Sequence, residues 1–440
     1  MTQVRGLRAA VDAMHDHIWD DERGMVQLYG LHLVRESALG AFLDLERGNV
    51  ERAQRALREV LRCQYALESD PRWAGTFKTH AAQPDAGTVD TDGRVRDREW
   101  RDYDPNWRQF LAVILWVTER LYGHVLDDAL RQHMMQAVDI AARSEPTDRI
   151  SASYSNIALL HAWLCDATAT PTTLTAEIAA QVTRDGDIAE YNSPTYDAIA
   201  LLAGCLLTQF SQTEPSRQLG ALVVERISSR LNALWHLRLG LQAGPHIRAY
   251  GLEPRSYVSL MSVLMAAIDV RAAGPTTLDN STTHVHDLYF LPLFARLCGA
   301  LRSRVQPEPV TTARRYEQRF GDVTATSIVE PDMVVGWEQG RRTRFALDQY
   351  APFTMYATDG FIGVRTRPDT DWVDVREVAS HVYEVRMARR SDSPPPHDQA
   401  ALTVVASRAP ITHGDEMIFG RVTLQFPGLA VEVRLPRANE

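Results

Sequence analysis

The stretch LHLVRESALGAFLDLERGNVERAQRALREVLRCQYAL, from Leu31 to Leu67, decides the fold class of this chain. Apolar residues recur every three or four positions from Leu31 to Leu45, which is the spacing of one helical face. Gly48-Asn49 interrupts the pattern. It resumes from Val50 to Leu67, where the apolar face consists of Ala53, Ala56, Leu57, Val60 and Leu61. Two amphipathic segments with a short break between them predict an antiparallel helix hairpin.

The same periodicity continues through roughly the first 300 residues. It predicts further helices near 107–122, 126–143, 153–167, 172–183, 195–210, 215–237, 254–272 and 285–303. With one more helix near the N-terminus there are about eleven, which is close to six pairs. Paired helices of this length without a tight sequence repeat suit either a closed ring of hairpins or an α-solenoid.

After about Pro307 the helical pattern gives way to short strand-like runs separated by turn residues. These runs are Val323–Val329, Met333–Glu338, Thr343–Leu347, Phe353–Ala357, Val382–Met387, Leu402–Ala406 and Val422–Phe426. The predicted fold class is therefore α+β with two domains. A helical domain spans 1–305 and an antiparallel β-sandwich spans 306–440.

Composition excludes several classes of function. Hydrophobic residues make up 45% of the 440 residues and charged residues 23%, which is typical of a globular protein. The net charge of −9 argues against nucleic acid or an anionic membrane as the main partner. The four cysteines are far apart with no CxxC pair, so we expect buried thiols in a reducing compartment. The sequence shows no signal-peptide pattern and no long apolar run, so a cytoplasmic protein is expected.

Two polar loops interrupt the helical region, at Glu190–Tyr196 (EYNSPTY) and Ala243–Gly251 (AGPHIRAYG). A helix bundle does not need Asn, His, Arg and Tyr concentrated at its loops in order to fold. Functional residues often gather on connections held by a rigid scaffold. These loops are therefore the predicted location of the chemistry.

The order of a helix-hairpin domain followed by a β-rich domain resembles the polysaccharide lyases of the alginate, chondroitin, hyaluronate and heparinase type. The segments YDPNW (103–107), YSNIA (154–158), YNSPTY (191–196) and GPHIRAYG (244–251) are closer to an uncharacterised group of bacterial and fungal proteins of the same build. This resemblance implies an (α/α) toroid, or incomplete barrel, of about six helix hairpins, followed by an antiparallel β-sandwich. It also implies β-elimination beside a carboxylate, carried out by an Asn, His, Tyr and Arg quartet.

Matched to that quartet, the residues in this chain are Asn192, His246, Arg248 and Tyr250. An Asn amide can hydrogen-bond an enolate-like carboxylate. A neutral His or an ionised Tyr can take the proton, and a Tyr can protonate the leaving oxygen. An Arg lowers the pKa of a nearby Tyr and holds a carboxylate in a fork. The His-to-Tyr separation of four is shorter than in chondroitin-type members, so Tyr196 and Tyr191 compete with Tyr250.

Each of these residues also has a structural interpretation. Asn192 precedes Ser193-Pro194, which suits the start of a helix with Ser193 as the cap. His246 after Gly-Pro can be a hydrogen-bonded structural histidine. The tyrosines can be core aromatics, and Arg248 can pair with Glu253 or Asp187.

Further residues are predicted to contact a substrate, mainly through aromatic faces that stack on sugars. They are Trp73, Trp100, Tyr103, Asn106, Trp107, Tyr154, Asn156 and Tyr191. The alternative for the aromatic members in the long connection 68–106 is packing that makes this connection rigid.

The remaining motifs give weak signals. His284 and His286 stand two residues apart beside Asp287, a spacing that suits a metal on a strand, but a helix start is expected here and no metal is predicted. His381, on a predicted strand, is a weak candidate to reach the cleft. The sequence contains no Walker loop, GxGxxG, HExxH or GxSxG motif, and no cofactor is predicted.

The leading hypothesis is a lyase that acts on a carboxylated oligosaccharide or small metabolite. A second hypothesis is a glycoside hydrolase, with candidate carboxylates Asp187, Glu190, Asp197 and Glu253. An isomerase, dehydratase or cyclase of secondary metabolism on the same scaffold is a third hypothesis, and a non-catalytic carbohydrate-binding protein is a fourth. No nucleic acid and no membrane are expected as partners, and the oligomeric state is left open.

Overall fold

The structure is a computed structural model that describes residues 2–270, 283–342, 349–358, 360–365, 370–379, 382–389, 403–406, 421–426 and 429–434. Within these residues the long helices come first and the long strands last, so the mixed α+β class is confirmed.

Eleven α-helices lie in the described part of the chain, as the periodicity predicts. They are α1 (Thr2–Ile18), α2 (Val34–Glu46), α3 (Val50–Arg62), α4 (Trp107–Tyr122), α5 (Asp128–Arg143), α6 (Ser155–Ala167), α7 (Leu174–Asp185), α8 (Asp197–Phe210), α9 (Glu214–Leu234), α10 (Leu260–Ala267) and α11 (Phe290–Leu297). The last two are shorter than predicted. Short 3-10 helices at Val285–Tyr289 and Gly299–Ser303 flank α11.

The strands divide into five short ones among the helices and eleven after them. The short ones are β1 (Trp19–Asp20), β2 (Met25–Leu28), β3 (Leu31–His32), β4 (Trp235–His236) and β5 (Leu241–Gln242). The others are β6 (Arg314–Phe320), β7 (Val323–Val329), β8 (Met333–Gln339), β9 (Arg341–Arg342), β10 (Phe353–Ala357), β11 (Gly360–Arg365), β12 (Thr370–Ala379), β13 (Val382–Arg389), β14 (Thr403–Ala406), β15 (Arg421–Phe426) and β16 (Leu429–Arg434). The predicted strand Thr343–Leu347 lies outside the described residues, as does His381.

Helix pairs form the core of the first part of the chain. The hairpin that the opening stretch predicts is present as α2 packed on α3, and α3 buries Ala53, Ala56, Leu57, Val60 and Leu61. Helices α4 and α5 form a second pair, and α8 and α9 a third. Further contacts connect neighbouring helices: α2 packs on α4, α4 on α6, and α6 on α8. Helix α8 also contacts α10 and α11, and α11 contacts α2. Helices α2, α4, α6 and α8 are buried over most of their residues, whereas α3, α5 and α7 are buried along one face.

The C-terminal part contains two larger sheets. One has the strand order β14-β11-β10-β8-β7-β6, and every neighbouring pair in it is antiparallel. The other has the order β15-β16-β13-β12-β9, in which β13 and β16 run parallel and the other pairs antiparallel. Trp337, Phe353 and Tyr383 pack together, which brings side chains of both sheets into one apolar cluster.

The loop Ala243–Gly251 lies directly against the first of these sheets. His246 and Ala351 exchange two backbone hydrogen bonds of 3.0 and 2.9 Å. A Cβ atom on Gly336, in β8, would lie 1.7 Å from the Gly244 carbonyl oxygen, so only glycine permits this approach. The sheet thus fixes the position of a loop that belongs in sequence to the helical part.

None of the helices in the described residues combines the length and apolarity needed to cross a bilayer.

Candidate functional site

A cavity of about 1170 Å³ lies where the inner helices and their loops meet the first sheet. Its lining includes five arginines, which are Arg35, Arg149, Arg184, Arg248 and Arg341. It also includes four acidic residues, which are Asp104, Glu177, Asp185 and Asp287. Aromatic and aliphatic side chains such as Trp107, Phe110 and Ile157 complete the wall, so the cavity combines charged groups with apolar surface.

Arg248 is held on three sides in this wall. Its Nη1 donates to Glu190 Oε1 at 2.6 Å, its Nη2 to the Tyr196 hydroxyl at 3.1 Å, and its Nε to Gln349 Oε1 at 2.9 Å. The guanidinium carbon also lies 3.9 Å from the centre of the Tyr196 ring. The acidic partner is therefore Glu190, not Glu253 or Asp187 as the structural interpretation of the sequence proposed.

Tyr196 and Tyr250 form a pair of phenols in the same wall. Their hydroxyl oxygens are 3.1 Å apart, and both side chains line the cavity. Burial raises the pKa of Tyr196 well above its usual value and also raises that of Tyr250, and this outweighs the opposing effect of Arg248. Both phenols are consequently protonated at neutral pH and are able to donate a proton.

Asn192 does not lie among the residues that line this cavity, which corrects the expectation that its amide faces a substrate. Its side chain is completely buried, and its Nδ2 donates to the carbonyl oxygens of Ala243 and Pro245, at 2.7 Å each. Its backbone adopts a left-handed conformation with φ of 57°, which asparagine tolerates better than most residues. Asn192 therefore ties one polar loop to the other.

His246 is also placed behind the wall and outside the described cavity lining. Its ring is completely buried, and Nδ1 donates to the Asn192 carbonyl oxygen at 2.9 Å. Burial lowers its pKa to about 4, so the ring is neutral. The hydrogen bond that fixes His246 thus joins it to Asn192 on the inner side of the loops, away from the cavity.

Ser193, next to Asn192, connects the buried part of the loops to the residues that line the cavity. Its hydroxyl donates to the Arg248 carbonyl oxygen at 2.6 Å and accepts from the Tyr196 backbone N–H at 2.9 Å. The second contact closes a turn before α8, which begins at Asp197 with Tyr196 at the N-cap position and without a side-chain cap, so Ser193 does not cap the helix as predicted. Asn192 and Ser193 together fix the backbone that carries Tyr196 and Arg248.

Four of the predicted substrate-contacting residues line the cavity. They are Trp100, Asn106, Trp107 and Tyr154. Asn106 joins two of the wall groups, since its Nδ2 donates to the Tyr154 hydroxyl at 2.7 Å and its Oδ1 accepts from Arg149 at 2.9 Å. Arg149, which the sequence did not single out, is thereby part of the same network.

The other four lie outside the cavity lining for structural reasons. Trp73 and Tyr103 pack on each other at 5.5 Å within a small buried cluster, as the alternative of loop packing proposed. Tyr191 is buried beneath Arg230, whose guanidinium carbon lies 4.7 Å from the ring centre. Asn156 is buried on α6, and neither of its side-chain polar atoms has a hydrogen-bond partner among the described residues.

Two of the acidic residues that line the cavity have raised pKa values, and neither belongs to the set considered for a hydrolase. Burial raises the pKa of Asp104, and it raises that of Asp287 to about 7. Each carboxylate of the predicted set is paired with an arginine: Asp187 and Asp197 with Arg230, Glu190 with Arg248, and Glu253 with Arg255. Sequence spacing does not reveal Asp287 or Arg35 as wall residues, since they come from distant segments.

Comparison with known proteins gives one positive result. A search of curated proteins returned no match. A family model described as "Domain of unknown function (DUF8769)" matches residues 7–299, about two-thirds of the chain, and this range includes both polar loops. The chain therefore belongs to the DUF8769 family.

Proposed function

We propose that this protein is a lyase that removes a proton beside a carboxylate and expels an oxygen leaving group. The substrate class is a carboxylated oligosaccharide or a small carboxylated metabolite. One observation carries the proposal: Arg248 donates to Tyr196 at 3.1 Å, and Tyr196 lies 3.1 Å from Tyr250, in an arginine-lined cavity.

We extend the proposal to the architecture. The helix pairs form an incomplete (α/α) toroid, and the two C-terminal sheets form a β-sandwich. The circuit of contacts that returns from α11 to α2 supports the toroid. The shared cluster of Trp337, Phe353 and Tyr383 supports the packing of one sheet on the other.

The charge of the wall supports an anionic substrate. Arginine suits carboxylate recognition because its planar fork presents paired N–H donors. Arg248 and Arg149 approach the cavity from different elements, and each is already oriented by a carboxylate, Glu190 and Glu145 respectively. These arginines support a substrate that carries a carboxylate, such as an acidic glycan or a small carboxylic acid.

The two phenols supply the acid. Because burial keeps both protonated, either can transfer its proton to the leaving oxygen as the C–O bond breaks. Arg248 stabilises the phenolate that remains on Tyr196, since its Nη2 donates to that oxygen. Tyr250 lies within hydrogen-bond distance of Tyr196 and returns a proton to it.

We assign the role of the base to the Asp104 carboxylate. It lines the cavity, and burial raises its pKa, which makes it a stronger base than an exposed aspartate. It takes the proton from the carbon beside the substrate carboxylate, and the electron pair of that C–H bond forms the new double bond. Asn192 and His246 are positioning residues in this mechanism.

The test is a panel of acidic oligosaccharides and small hydroxy acids incubated with the whole chain. An elimination beside a carboxylate leaves a conjugated product that absorbs ultraviolet light. We expect absorbance to rise with at least one member of the panel. No rise with any acidic glycan or hydroxy acid contradicts the proposal.

A second candidate, an inverting glycoside hydrolase, is favoured by the two cavity carboxyls with raised pKa values. The pKa of about 7 for Asp287 suits an acid, while Asp104 is available as a base. The same panel separates the two reactions. Hydrolysis of an oligosaccharide releases a reducing end and no ultraviolet-absorbing product. Elimination in an oligosaccharide releases a reducing end together with an unsaturated product that absorbs ultraviolet light.

We place the reaction in the cytoplasm, which the four free cysteines support. The substrate there is an imported oligosaccharide or a metabolite rather than a long extracellular polysaccharide.

A further inference from the structure

We propose that His284, His286 and Asp287 form a binding site for a divalent transition-metal ion at the edge of the cavity. The sequence alone predicted no metal here, because the two histidines were expected at a helix start and not on a strand. The structure places His284 directly before the 3-10 helix Val285–Tyr289 and His286 within it, and their ligand atoms lie close together.

The distances suit one ion. One ligand atom from each of the three side chains lies within 4.8 Å of the other two. Bonds of about 2.0–2.2 Å place the ligand atoms of a tetrahedral metal about 3.3–3.6 Å apart, so a small side-chain rotation closes the site. His284 has a left-handed backbone conformation with φ of 58°, and its ring centre lies 5.6 Å from that of His286.

All three side chains contain a buried polar atom without a hydrogen-bond partner among the described residues. These atoms are His284 Nδ1, His286 Nδ1 and Asp287 Oδ2. A buried polar atom without a partner destabilises the fold, so three of them in neighbouring side chains require an explanation. Asp287 is only 2% exposed, and a cation gives its unpaired oxygen a partner.

The surrounding charges leave a net negative site. Arg35 lies 3.4 Å from Asp287 Oδ1, but it donates two hydrogen bonds to Glu36, at 2.9 and 2.5 Å. The charge of the guanidinium is therefore offset by Glu36. The negative charge of Asp287 remains available for a cation.

The His284 ring packs against two tyrosine rings. His284 stacks on Tyr250 with ring centres 4.4 Å apart and packs against the edge of Tyr257 at 5.7 Å. Two imidazole nitrogens and one carboxylate oxygen are the ligands of many zinc sites that keep a fourth position open. Asp287 lines the cavity, so the cluster lies beside the space that a substrate would enter.

The experiment uses the whole chain, stripped with a chelator and dialysed against Zn²⁺ or Co²⁺. We expect one bound ion per chain, a visible absorption band with Co²⁺, and an increase in Tm with Zn²⁺. Since losing even an outer-shell partner costs about 10–100-fold in affinity, we expect His286→Asn and Asp287→Asn to weaken binding about 100-fold or more.

The matched control is His133→Asn, which changes an exposed histidine on α5. It should bind Zn²⁺ like the parent protein. Absence of stoichiometric binding by the parent overturns the proposal, and so does equal binding by His286→Asn or Asp287→Asn. Metal-free Tm values show whether each variant is folded. None of these readouts depends on enzymatic activity, so the result is independent of the proposed lyase function.

Discussion

Replacing Asn192 tests whether this residue holds the two polar loops together. Asn192→Ala removes the donor of two buried hydrogen bonds of 2.7 Å, to Ala243 and Pro245. Each carbonyl left without its donor costs about 1–3 kcal/mol, and alanine at a φ of 57° adds roughly 1 kcal/mol. We expect the free energy of unfolding to fall by about 3–7 kcal/mol.

The matched control is Asn156→Ala, another buried asparagine, whose amide has no hydrogen-bond partner among the described residues. Its removal should cost no more than about 1–2 kcal/mol, because only packing is lost. Urea unfolding followed by circular dichroism measures both values, and thermal melting should show a Tm about 5 °C lower for Asn192→Ala. Equal stability of the two variants would refute the tethering role of Asn192.

Further predictions concern packing and pH. Gly336→Ala should lower the free energy of unfolding by about 2 kcal/mol or more, because the new Cβ would meet the Gly244 carbonyl oxygen. The control is Gly299→Ala, which has open space around the new Cβ and should leave the Tm almost unchanged. Burial lowers the pKa of both His161 and His246 to about 4, below the usual 6.5, so the unfolded chain binds their protons first as the pH falls. Each ring should therefore lower the free energy of unfolding by up to about 3 kcal/mol as the pH falls from 6.5 to 4. In this range the stability of His161→Asn, measured by urea unfolding, should depend less on pH than that of the parent protein. An unchanged pH dependence would contradict the lowered pKa of His161.

The helical part of the fold was predictable because its signal is local. Periodicity in one stretch decides which face is apolar, and the hairpin of α2 and α3 follows from residues within that stretch. Strands such as Val323–Val329 have the predicted bounds. The prediction missed β6, since its residues alternate between partly buried and exposed positions and the strand contains few apolar side chains.

The site was predictable only as a pair of loops. Sequence shows that polar residues gather there, but it does not show which side of a loop each side chain occupies. Arg248 and Tyr250 face the cavity, whereas Asn192 and His246 face inward and bond the loops together. A signal was present in Ser193, since an Asn-Ser-Pro sequence at a helix start is typical of structural hydrogen bonding.

The sequence could not predict the cavity-lining residues that come from distant segments, for a different reason. Arg35 belongs to α2 and Arg149 to the connection before α6, and neither stands in a motif. They meet the polar loops only once the helices pack. Clusters of this kind depend on tertiary contacts that no local pattern encodes.

The most direct test of the central claim is the rate of the ultraviolet-absorbing reaction after replacement of the two phenols. Tyr196→Phe and Tyr250→Phe each remove one hydroxyl and keep the ring, and Tyr122→Phe makes the same change on α4, outside the cavity lining. Removing a general acid typically costs about 10²–10⁴-fold in rate, so we predict a loss of that size in kcat for the double variant and no loss for Tyr122→Phe. Full activity in a folded double variant would contradict the assignment of the acid to this pair.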